Sequence, residues 1–271
     1  MINLIAPKER KPNKIIKMES SVNFLGYSLA VNPFPLSITK GQKIIINTIN
    51  QYSFCIAEKD VVFKEALRTS DILLPDGIGI VKACSYITGK PLKKIAGAEI
   101  HEDLLKTLNV EGGKCFYLGS SDKTLNGIKS RIEKDYPFVR AAFYSPPYKE
   151  IFDEKDIVAM IEQIDDFKPD VLFIGLTAPK QEKLSYLFKD KFDANIICSI
   201  GAVFDFYAKT ITRPSQFWID LHLEWLVRLV KEPKRMWKRY LYFGFLFIYK
   251  MLNQKKTIDQ APEEFAKHKL Q

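Results

Sequence analysis

The stretch ILLPDGIGIV (72–81) holds the end of one structural element and the start of the next. Its first half is apolar throughout, as strands buried on both faces of a sheet are. The turn PDG (75–77) ends this run, and a helical pattern follows it. Comparable apolar runs recur between residues 43 and 205, separated by amphipathic patterns of helical period. This alternation predicts an α/β fold: a Rossmann-like parallel sheet with helices on both faces.

The individual elements can be placed from the same pattern. Strands are predicted at 43–49, 71–75, 114–120, 138–144, 170–176 and within 194–204. Helices are predicted near 57–69, 79–87, 98–108, 122–135, 154–166 and 179–190.

The pattern changes after Phe206, where aromatic and basic residues recur at helical spacing without a strand. We expect an α/β catalytic domain over 1–206, in which 1–20 is flexible or peripheral. A helical appendage is expected over 207–254, and a polar tail over 255–271. The basic residues of the appendage fall within about one helical face, beside aromatic side chains that suit a lipid headgroup layer. Those aromatic residues are Trp225, Trp237, Tyr240, Phe243 and Phe247.

Composition limits the class of protein. The formal net charge is +9, and six cations lie between Arg228 and Arg239, so we expect an anionic partner. The four cysteines lack a metal-binding or disulfide spacing and are expected to be buried thiols in a reducing cytoplasm. The longest apolar run, 240–249, is shorter than the ~20 residues that cross a bilayer. The basic N-terminus lacks the apolar segment of a signal peptide.

Ligands of open parallel sheets bind at the carboxyl ends of the strands, where free helix N–H groups can receive phosphate oxygens. A nucleotide diphosphate is therefore the expected ligand. The polar and glycine-containing loops that follow the predicted strands are Thr48 with Asn50, Asp76 with Gly77 to Gly79, Gly119 to Ser121, Gly175 to Glu182, and Gly201 to Asp205.

Two cofactor classes are disfavoured. The glycines Gly77 and Gly79 begin a dinucleotide-binding fingerprint, but Lys82 stands where its third glycine would be. The sequence contains no DxD pair to hold a divalent metal on a diphosphate, so we expect neither metal nor other cofactor. Helix N-termini and cations would then stabilise a leaving diphosphate. For Asp76 two roles stay open at this point: a general base, or an N-cap of the next helix.

Four motifs in chain order resemble one family. They are LLPDGIGIV (73–81), GLTAPKQE (175–182), IGAVFDFYAKTITR (200–213) and LEWLVRLVKEPKR (223–235). With them, the sequence from about 22 to 245 resembles the WecG/TagA/CpsF family of bacterial glycosyltransferases.

The resemblance implies a metal-independent, inverting transfer of a sugar from a UDP-sugar to a polyprenyl-diphosphate-linked acceptor. For the sugar it implies N-acetylmannosamine or its uronic acid, and for the acceptor a linked GlcNAc in cell-surface polysaccharide synthesis. It makes Asp76 the general base. The resemblance further implies substrate contacts by Thr48, Asn50, Gln181, Arg228 and Arg235. It also places the appendage over the active site at an anionic membrane, on the cytoplasmic side of the plasma membrane.

The sequence departs from the family pattern at several positions near the expected donor site. Glu99 replaces an aspartate, Lys94 an arginine and His222 a glycine, and the loops at 177–178 and 213–217 differ. These changes bear on which sugar is transferred. A related transferase using UDP-glucose is therefore a second possibility for the reaction.

Several polar residues of the chain would also suit purely structural roles. Thr48 and Asn50 suit a polar turn, and Gln181 suits the first turn of a helix. We expect His222 to pack at an interface and His101 to lie on a helix surface.

Two different classes of protein compete with a glycosyltransferase. A nucleic-acid-binding protein could use the basic patch, but the sequence lacks any recognisable RNA- or DNA-binding signature. A nucleotide-sugar epimerase or dehydrogenase would require the incomplete dinucleotide fingerprint.

Overall fold

The computed structural model describes residues 21–212 and 214–268. The N-terminal segment 1–20, Arg213 and the last three residues, for which the sequence also raised expectations, lie outside the described residues. The strands form an eight-stranded sheet in the order β1-β2-β4-β3-β8-β7-β5-β6. Strand β1 pairs antiparallel with β2, and the other pairs are parallel. The predicted α/β fold with a helical C-terminal region is confirmed.

The bounds of the elements follow in chain order. The strands are β1 Ser21–Phe24, β2 Tyr27–Ala30, β3 Ile44–Ile49, β4 Ile72–Pro75, β5 Lys114–Leu118, β6 Arg140–Tyr144, β7 Val171–Ile174 and β8 Ile196–Ser199. The helices of the sheet region are α1 Gln51–Ala57, α2 Val61–Arg68, α3 Ile78–Thr88, α4 Gly97–Glu111, α5 Asp122–Asp135, α6 Glu154–Phe167, α7 Lys180–Phe188 and α8 Ala202–Tyr207. The C-terminal region holds α9 Gln216–Asp220, α10 Glu224–Lys231, α11 Pro233–Trp237, a π-helical turn Lys238–Tyr242 and α12 Phe243–His268.

Helices cover both faces of the sheet because its strands are apolar on both sides. In β5, Cys115 and Tyr117 enter the core cluster shared with α4, α5 and α8. Phe116 and Leu118, the alternate residues, enter the cluster of α6 and α7 on the opposite face. A third cluster packs α1, α2, α3 and α12 beside β1 to β4. The sheet is therefore the middle of three layers.

Two sequence predictions for this region need correction. The helix expected near 57–69 begins later, at Val61, since the Asp60 side chain accepts a hydrogen bond from Phe63 N at 3.0 Å and begins α2 as its N-cap. The helix before it, α1, was not predicted. The antiparallel hairpin β1–β2 was not predicted, because its strands are only four residues long. Leu25 and Gly26 form its turn, with φ values of +51° and +85°.

The last helix of the C-terminal region, α12, is part of the core. The ring of Phe247 packs edge-on against Phe54 of α1, with the centroids 5.4 Å apart. Phe243, Phe247 and Met251 are buried in the same cluster. The expectation that Phe243 and Phe247 provide bulk for a lipid interface is therefore wrong. The prediction that the basic residues share one helical face is also wrong, because the backbone leaves the helical conformation at Glu232, between α10 and α11.

Two further expectations about composition can be compared with the structure. All four cysteines are free and buried, as predicted. Within 21–212 and 214–268, no helix is both long enough and apolar enough to cross a membrane.

Candidate active site

A cavity of about 540 Å³ opens at the carboxyl ends of the central strands β4, β3, β8 and β7. The loops after these strands form its floor and walls. Residues of α10, α11 and the π-helical turn form its roof. The volume lies within the range of about 300–1,000 Å³ typical of small-molecule sites. The cavity thus has the location expected for a ligand of an open α/β sheet.

Asp76 lies at the floor of this cavity, at the end of β4. Its backbone N–H donates to the carbonyl of Ile49 at 2.9 Å, which holds it against the end of β3. The N-cap of α3 is Gly77, with a φ of +110° that suits glycine, and among the described residues no side chain caps this helix. The Asp76 carboxylate is therefore not a helix cap. It faces the cavity, where burial raises the pKa of its carboxyl group.

Charged side chains from two parts of the chain surround Asp76. Lys94 comes from the loop before α4, and Arg228 and Arg239 come from the roof. All three lower the pKa of Asp76, against the larger effect of burial, while Glu224 raises it. Lys94 Nζ lies 2.9 Å from Glu224 Oε2, so this ion pair joins the floor of the cavity to the roof.

The loop after β3 contributes Thr48 and Asn50 to the cavity. Asn50 is the N-cap of α1, where its Oδ1 accepts from Ser53 N at 3.0 Å. Capping fixes the Asn50 side chain at the cavity edge and uses its carbonyl oxygen. Asn50 therefore has a structural role as a helix cap, where the sequence suggested a polar turn, and its substrate contact stays a prediction.

The opposite wall combines the first turn of α7 with the loop after β8. Gln181 Oε1 accepts from Gly201 N at 3.2 Å. A Cβ at Gly201 would lie 2.6 Å from Leu176 O and 2.7 Å from Gln181 Oε1, so this approach requires glycine. Gln181 Nε2 donates to Glu182 Oε1 at 2.9 Å. Both side chains are buried.

The sequence matches the glycosyl transferase WecG/TagA/CpsF family over residues 18–261. The chain belongs to this family. Membership makes the chain a glycosyltransferase, and the cavity at the sheet edge is its candidate active site.

Relatives agree with the family match over most of the chain. Over 227 residues the chain is 32% identical to the N-acetylglucosaminyldiphosphoundecaprenol N-acetyl-beta-D-mannosaminyltransferase of Bacillus subtilis (strain 168), covering 82% of this chain and 86% of that protein. Identically named proteins of Bacillus spizizenii (strain ATCC 23059 / NRRL B-14472 / W23) and Staphylococcus aureus (strain MW2) are 31% and 25% identical. The match to the Bacillus spizizenii protein covers 66% of this chain and 67% of that protein. The match to the Staphylococcus aureus protein covers 80% of this chain and 83% of that protein.

The family motifs converge on the cavity although they are far apart in the sequence. Eight of the nine predicted site residues line it: Thr48, Asn50, Asp76, Gly77, Gln181, Gly201, Arg228 and Arg235. Gly119 does not line it, and its neighbour Ser120 does. Gly119 instead packs against the β7 loop, where a Cβ would lie 2.7 Å from Leu176 Cδ2. Its predicted substrate contact therefore has no geometric support.

Several cavity residues were not singled out as site residues from the sequence. Glu182 had no signal beyond its motif, and Glu224 begins α10 as an ordinary first-turn acid. Arg239 was visible only as one cation of the basic patch. Its guanidinium lies over the Tyr52 ring, 4.6 Å from the centroid, in the π-helical turn. Such turns are frequent at functional sites, but a regular helical pattern cannot predict them.

His101 and His222 both differ from their predicted environments. His101 is 2% exposed, and its Nε2 lies 2.7 Å from the Tyr117 hydroxyl in the core. Burial lowers the pKa of His101 to about 3, so it is neutral and structural. His222 is exposed at the cavity rim. Its φ of +59° is a backbone conformation that glycine, the residue of the family pattern at this position, adopts readily.

Proposed function

We propose that this protein transfers N-acetylmannosamine, or its uronic acid, from a UDP-sugar to a polyprenyl-diphosphate-linked GlcNAc acceptor. The transfer inverts the anomeric configuration in one step and needs no metal. The names of the relatives, which specify mannosaminyl transfer to N-acetylglucosaminyldiphosphoundecaprenol, support the sugar and the acceptor. The UDP donor and the inversion are proposed from the resemblance to the family.

The observation that carries the proposal is the setting of Asp76. Its carboxylate faces a cavity of donor size, makes no hydrogen bond to the described residues, and has cations on two sides. A general base works best when its pKa approaches the working pH, and burial moves the pKa of Asp76 in that direction. A carboxylate with this setting is suited to proton abstraction.

The proposed step is a single displacement. The Asp76 carboxylate takes the proton of the acceptor hydroxyl while that oxygen bonds to the anomeric carbon of the donor. The bond from that carbon to the UDP oxygen breaks, and its electron pair leaves with UDP. The products are the extended lipid-linked acceptor, UDP and protonated Asp76, which then returns its proton to water.

The leaving diphosphate requires positive charge, which the cavity supplies from the protein. Lys94 lies below it, and Arg228, Arg235 and Arg239 belong to the roof. Arg228 is held against the Phe206 ring, 5.2 Å from its centroid, and its buried Nε has no hydrogen-bond partner among the described residues. Preorganised cations of this kind stabilise charge that develops on a leaving group. They are the proposed substitute for a metal ion.

The outer surface of the roof supports docking to an anionic membrane on the cytoplasmic side. Four large side chains here are more than half exposed: Trp237 and Tyr242 of the roof, and Phe245 and Tyr249 of the adjoining α12. Exposed lysines, among them Lys231 and Lys234, lie on the neighbouring helices. Aromatic side chains beside cations suit the headgroup layer, where each cation contributes about 1 kcal/mol near an anionic leaflet. This docking would bring the cavity to a lipid-linked acceptor.

A donor screen tests the proposal directly. Purified protein is incubated with a short-chain polyprenyl-diphosphate-GlcNAc and, in separate reactions, the UDP derivatives of N-acetylmannosamine, its uronic acid, N-acetylglucosamine and glucose. UDP release and the mass of the lipid product are measured with and without EDTA. We expect transfer of the mannosamine sugar, unaffected by EDTA, to give a β-linked product from the α-linked donor.

Each part of the proposal has its own contrary result. Transfer only from UDP-glucose would replace the sugar, and complete loss of transfer in EDTA would contradict the cation mechanism. An α-linked product would contradict inversion. A preparation inert toward every UDP-sugar would contradict the function as a whole.

A further inference from the structure

Glu182 is a buried carboxylate that the displacement step does not use. It is 1% exposed and lines the cavity. Its Oε1 accepts from Gln181 Nε2 at 2.9 Å, whereas its buried Oε2 has no hydrogen-bond partner among the described residues. Buried carboxylate oxygens are normally paired, because leaving one unpaired costs free energy. An unpaired oxygen beside a ligand cavity is expected to be paired by the ligand.

The orientation of Glu182 is held from two sides. Its Oε1 is engaged by Gln181, whose own Oε1 accepts from Gly201 N. Its backbone carbonyl accepts from the Ser185 hydroxyl at 2.9 Å within α7. The position of Oε2, the carboxylate oxygen without a partner among the described residues, is therefore fixed by the protein.

Glu182 and Asp76 line the same cavity. The positive charge of Arg239 is near enough to lower the pKa values of both Asp76 and Glu182. In the described part of the chain, Glu182 nevertheless has no ion-pair partner within contact distance. The atoms nearest to a base that deprotonates the acceptor are the anomeric carbon and the rest of the transferred sugar.

We propose that Glu182 Oε2 accepts a hydrogen bond from a hydroxyl group of the transferred sugar, and so helps to select that sugar. This inference rests on the proposed function, because it assigns a further contact in the same donor site. A carboxylate repels a diphosphate, so the neutral, hydroxyl-rich part of the donor is its suitable partner. Sites that hydrogen-bond a substrate hydroxyl discriminate strongly against analogues that lack it.

Titration behaviour is consistent with a group prepared for a ligand. Burial raises the pKa of Glu182 to about 7, outweighing the opposite effects of the Gln181 hydrogen bond, a backbone N–H and Arg239. A hydroxyl hydrogen bond donated to Oε2 would stabilise the charged form further.

The test uses Glu182→Gln with UDP-N-acetylmannosamine and with UDP alone. The substitution keeps an acceptor for Gln181 but replaces the other carboxylate oxygen, Oε2, by an amide donor. We expect kcat/KM for the UDP-sugar to fall about 10- to 100-fold, as for loss of a hydrogen bond to a charged group. The Kd of UDP is expected to stay within about twofold of wild type, since UDP lacks the sugar.

Donor analogues that each lack the C3, C4 or C6 hydroxyl complete a thermodynamic cycle. One analogue should lower kcat/KM of the wild type by a factor similar to that of Glu182→Gln, yet cause no further loss in the variant. Glu182→Asp, which keeps the charge but withdraws the oxygen, should give the same pattern and serves if the glutamine variant does not fold. Glu154→Gln, an exposed first-turn carboxylate of α6 outside the cavity, is the control for lost charge.

The contrary outcomes are distinct. An equal loss of affinity for UDP itself, unchanged kcat/KM in both Glu182 variants, or additive losses for all three analogues would overturn the inference while wild-type turnover stood. Absence of wild-type turnover with the UDP derivatives of both N-acetylmannosamine and its uronic acid would overturn the proposed function, and the inference with it.

Discussion

Lys94 Nζ and Glu224 Oε2 lie 2.9 Å apart, although the two residues are 130 positions apart in the chain. Lys94 belongs to the sheet region and Glu224 begins α10, so the pair closes one side of the cavity. Both side chains are mostly buried, at 24% and 18% exposure. Their charges act on Asp76 with opposite signs, because Lys94 lowers its pKa and Glu224 raises it.

This arrangement predicts opposite pH shifts for two substitutions. A base must be deprotonated, so activity falls as the pH drops through the pKa of Asp76. Glu224→Gln removes a negative charge, lowers that pKa and should move the acidic limb of the kcat/KM profile to lower pH. Lys94→Met removes a positive charge and should move the limb to higher pH. The measurement is kcat/KM across the acidic and neutral pH range for wild type and both variants.

The matched control is the exposed pair of Glu102 and Lys106, 2.6 Å apart on α4. Glu102→Gln should leave the pH profile unchanged. If both cavity variants moved the limb in the same direction, Asp76 would not be the titrating base.

Asp76→Asn tests the base itself. The amide is nearly isosteric and cannot accept the acceptor proton, so kcat should fall about 10²- to 10⁴-fold. The Kd of UDP should change little, because the side chain is expected to act on the acceptor. Single-turnover assays and calorimetric UDP binding provide the two measurements. A variant that binds UDP normally and turns over at the wild-type rate would show that Asp76 is dispensable.

The burial of α12 predicts a contrast between two phenylalanines two positions apart. Phe247 is 3% exposed and packs on Phe54, whereas Phe245 is 72% exposed. Phe247→Ala should lower the free energy of unfolding by about 3–5 kcal/mol through lost contacts and a cavity. Phe245→Ala should change it by less than about 0.5 kcal/mol. Urea unfolding of both variants gives the comparison, and similar losses would contradict the packing of α12.

The proposed membrane surface predicts an effect of charge reversal on the roof. Lys231→Glu combined with Lys234→Glu should weaken binding to phosphatidylglycerol-containing vesicles by more than about tenfold, since each cation contributes about 1 kcal/mol. Vesicle cosedimentation measures the binding.

The control reverses two exposed lysines of α5, Lys123→Glu and Lys129→Glu, on the opposite face of the sheet. It changes the net charge equally and should have little effect beyond it. Equal weakening by both double variants would indicate a general effect of net charge without a defined docking surface. Truncation after residue 206 is a poorer test, because it would also remove core residues of α12.

Much of the α/β architecture was predictable because it depends on local sequence patterns. Apolar runs such as 171–174 can be buried only as central strands, and amphipathic patterns such as 122–135 must cover them. The PDG turn placed Asp76 at a strand end, where the edge of a parallel sheet collects its loops. The β1–β2 hairpin escaped prediction because its strands are short and it joins the sheet through the pairing of β2 with β4.

The electrostatic and packing environment of the site was not predictable in the same way. Glu182 and Arg239 lie 57 positions apart, and neither residue type indicates that its side chain is turned into a cavity. In the sequence His101 resembled a surface residue, because acidic residues follow it. In the structure Tyr117 and neighbouring aromatic rings enclose it.

By itself, then, the order of apolar and polar residues determined the layers and the edge of the sheet at which the cavity lies, since periodicity and strand-end position are local properties. Only the tertiary structure decided that Lys94 pairs with Glu224, that Glu182 keeps an unpaired oxygen, and that α12 belongs partly to the core. These features depend on distances between residues far apart in the chain. Burial and Coulomb interactions arise only when folding sets those distances.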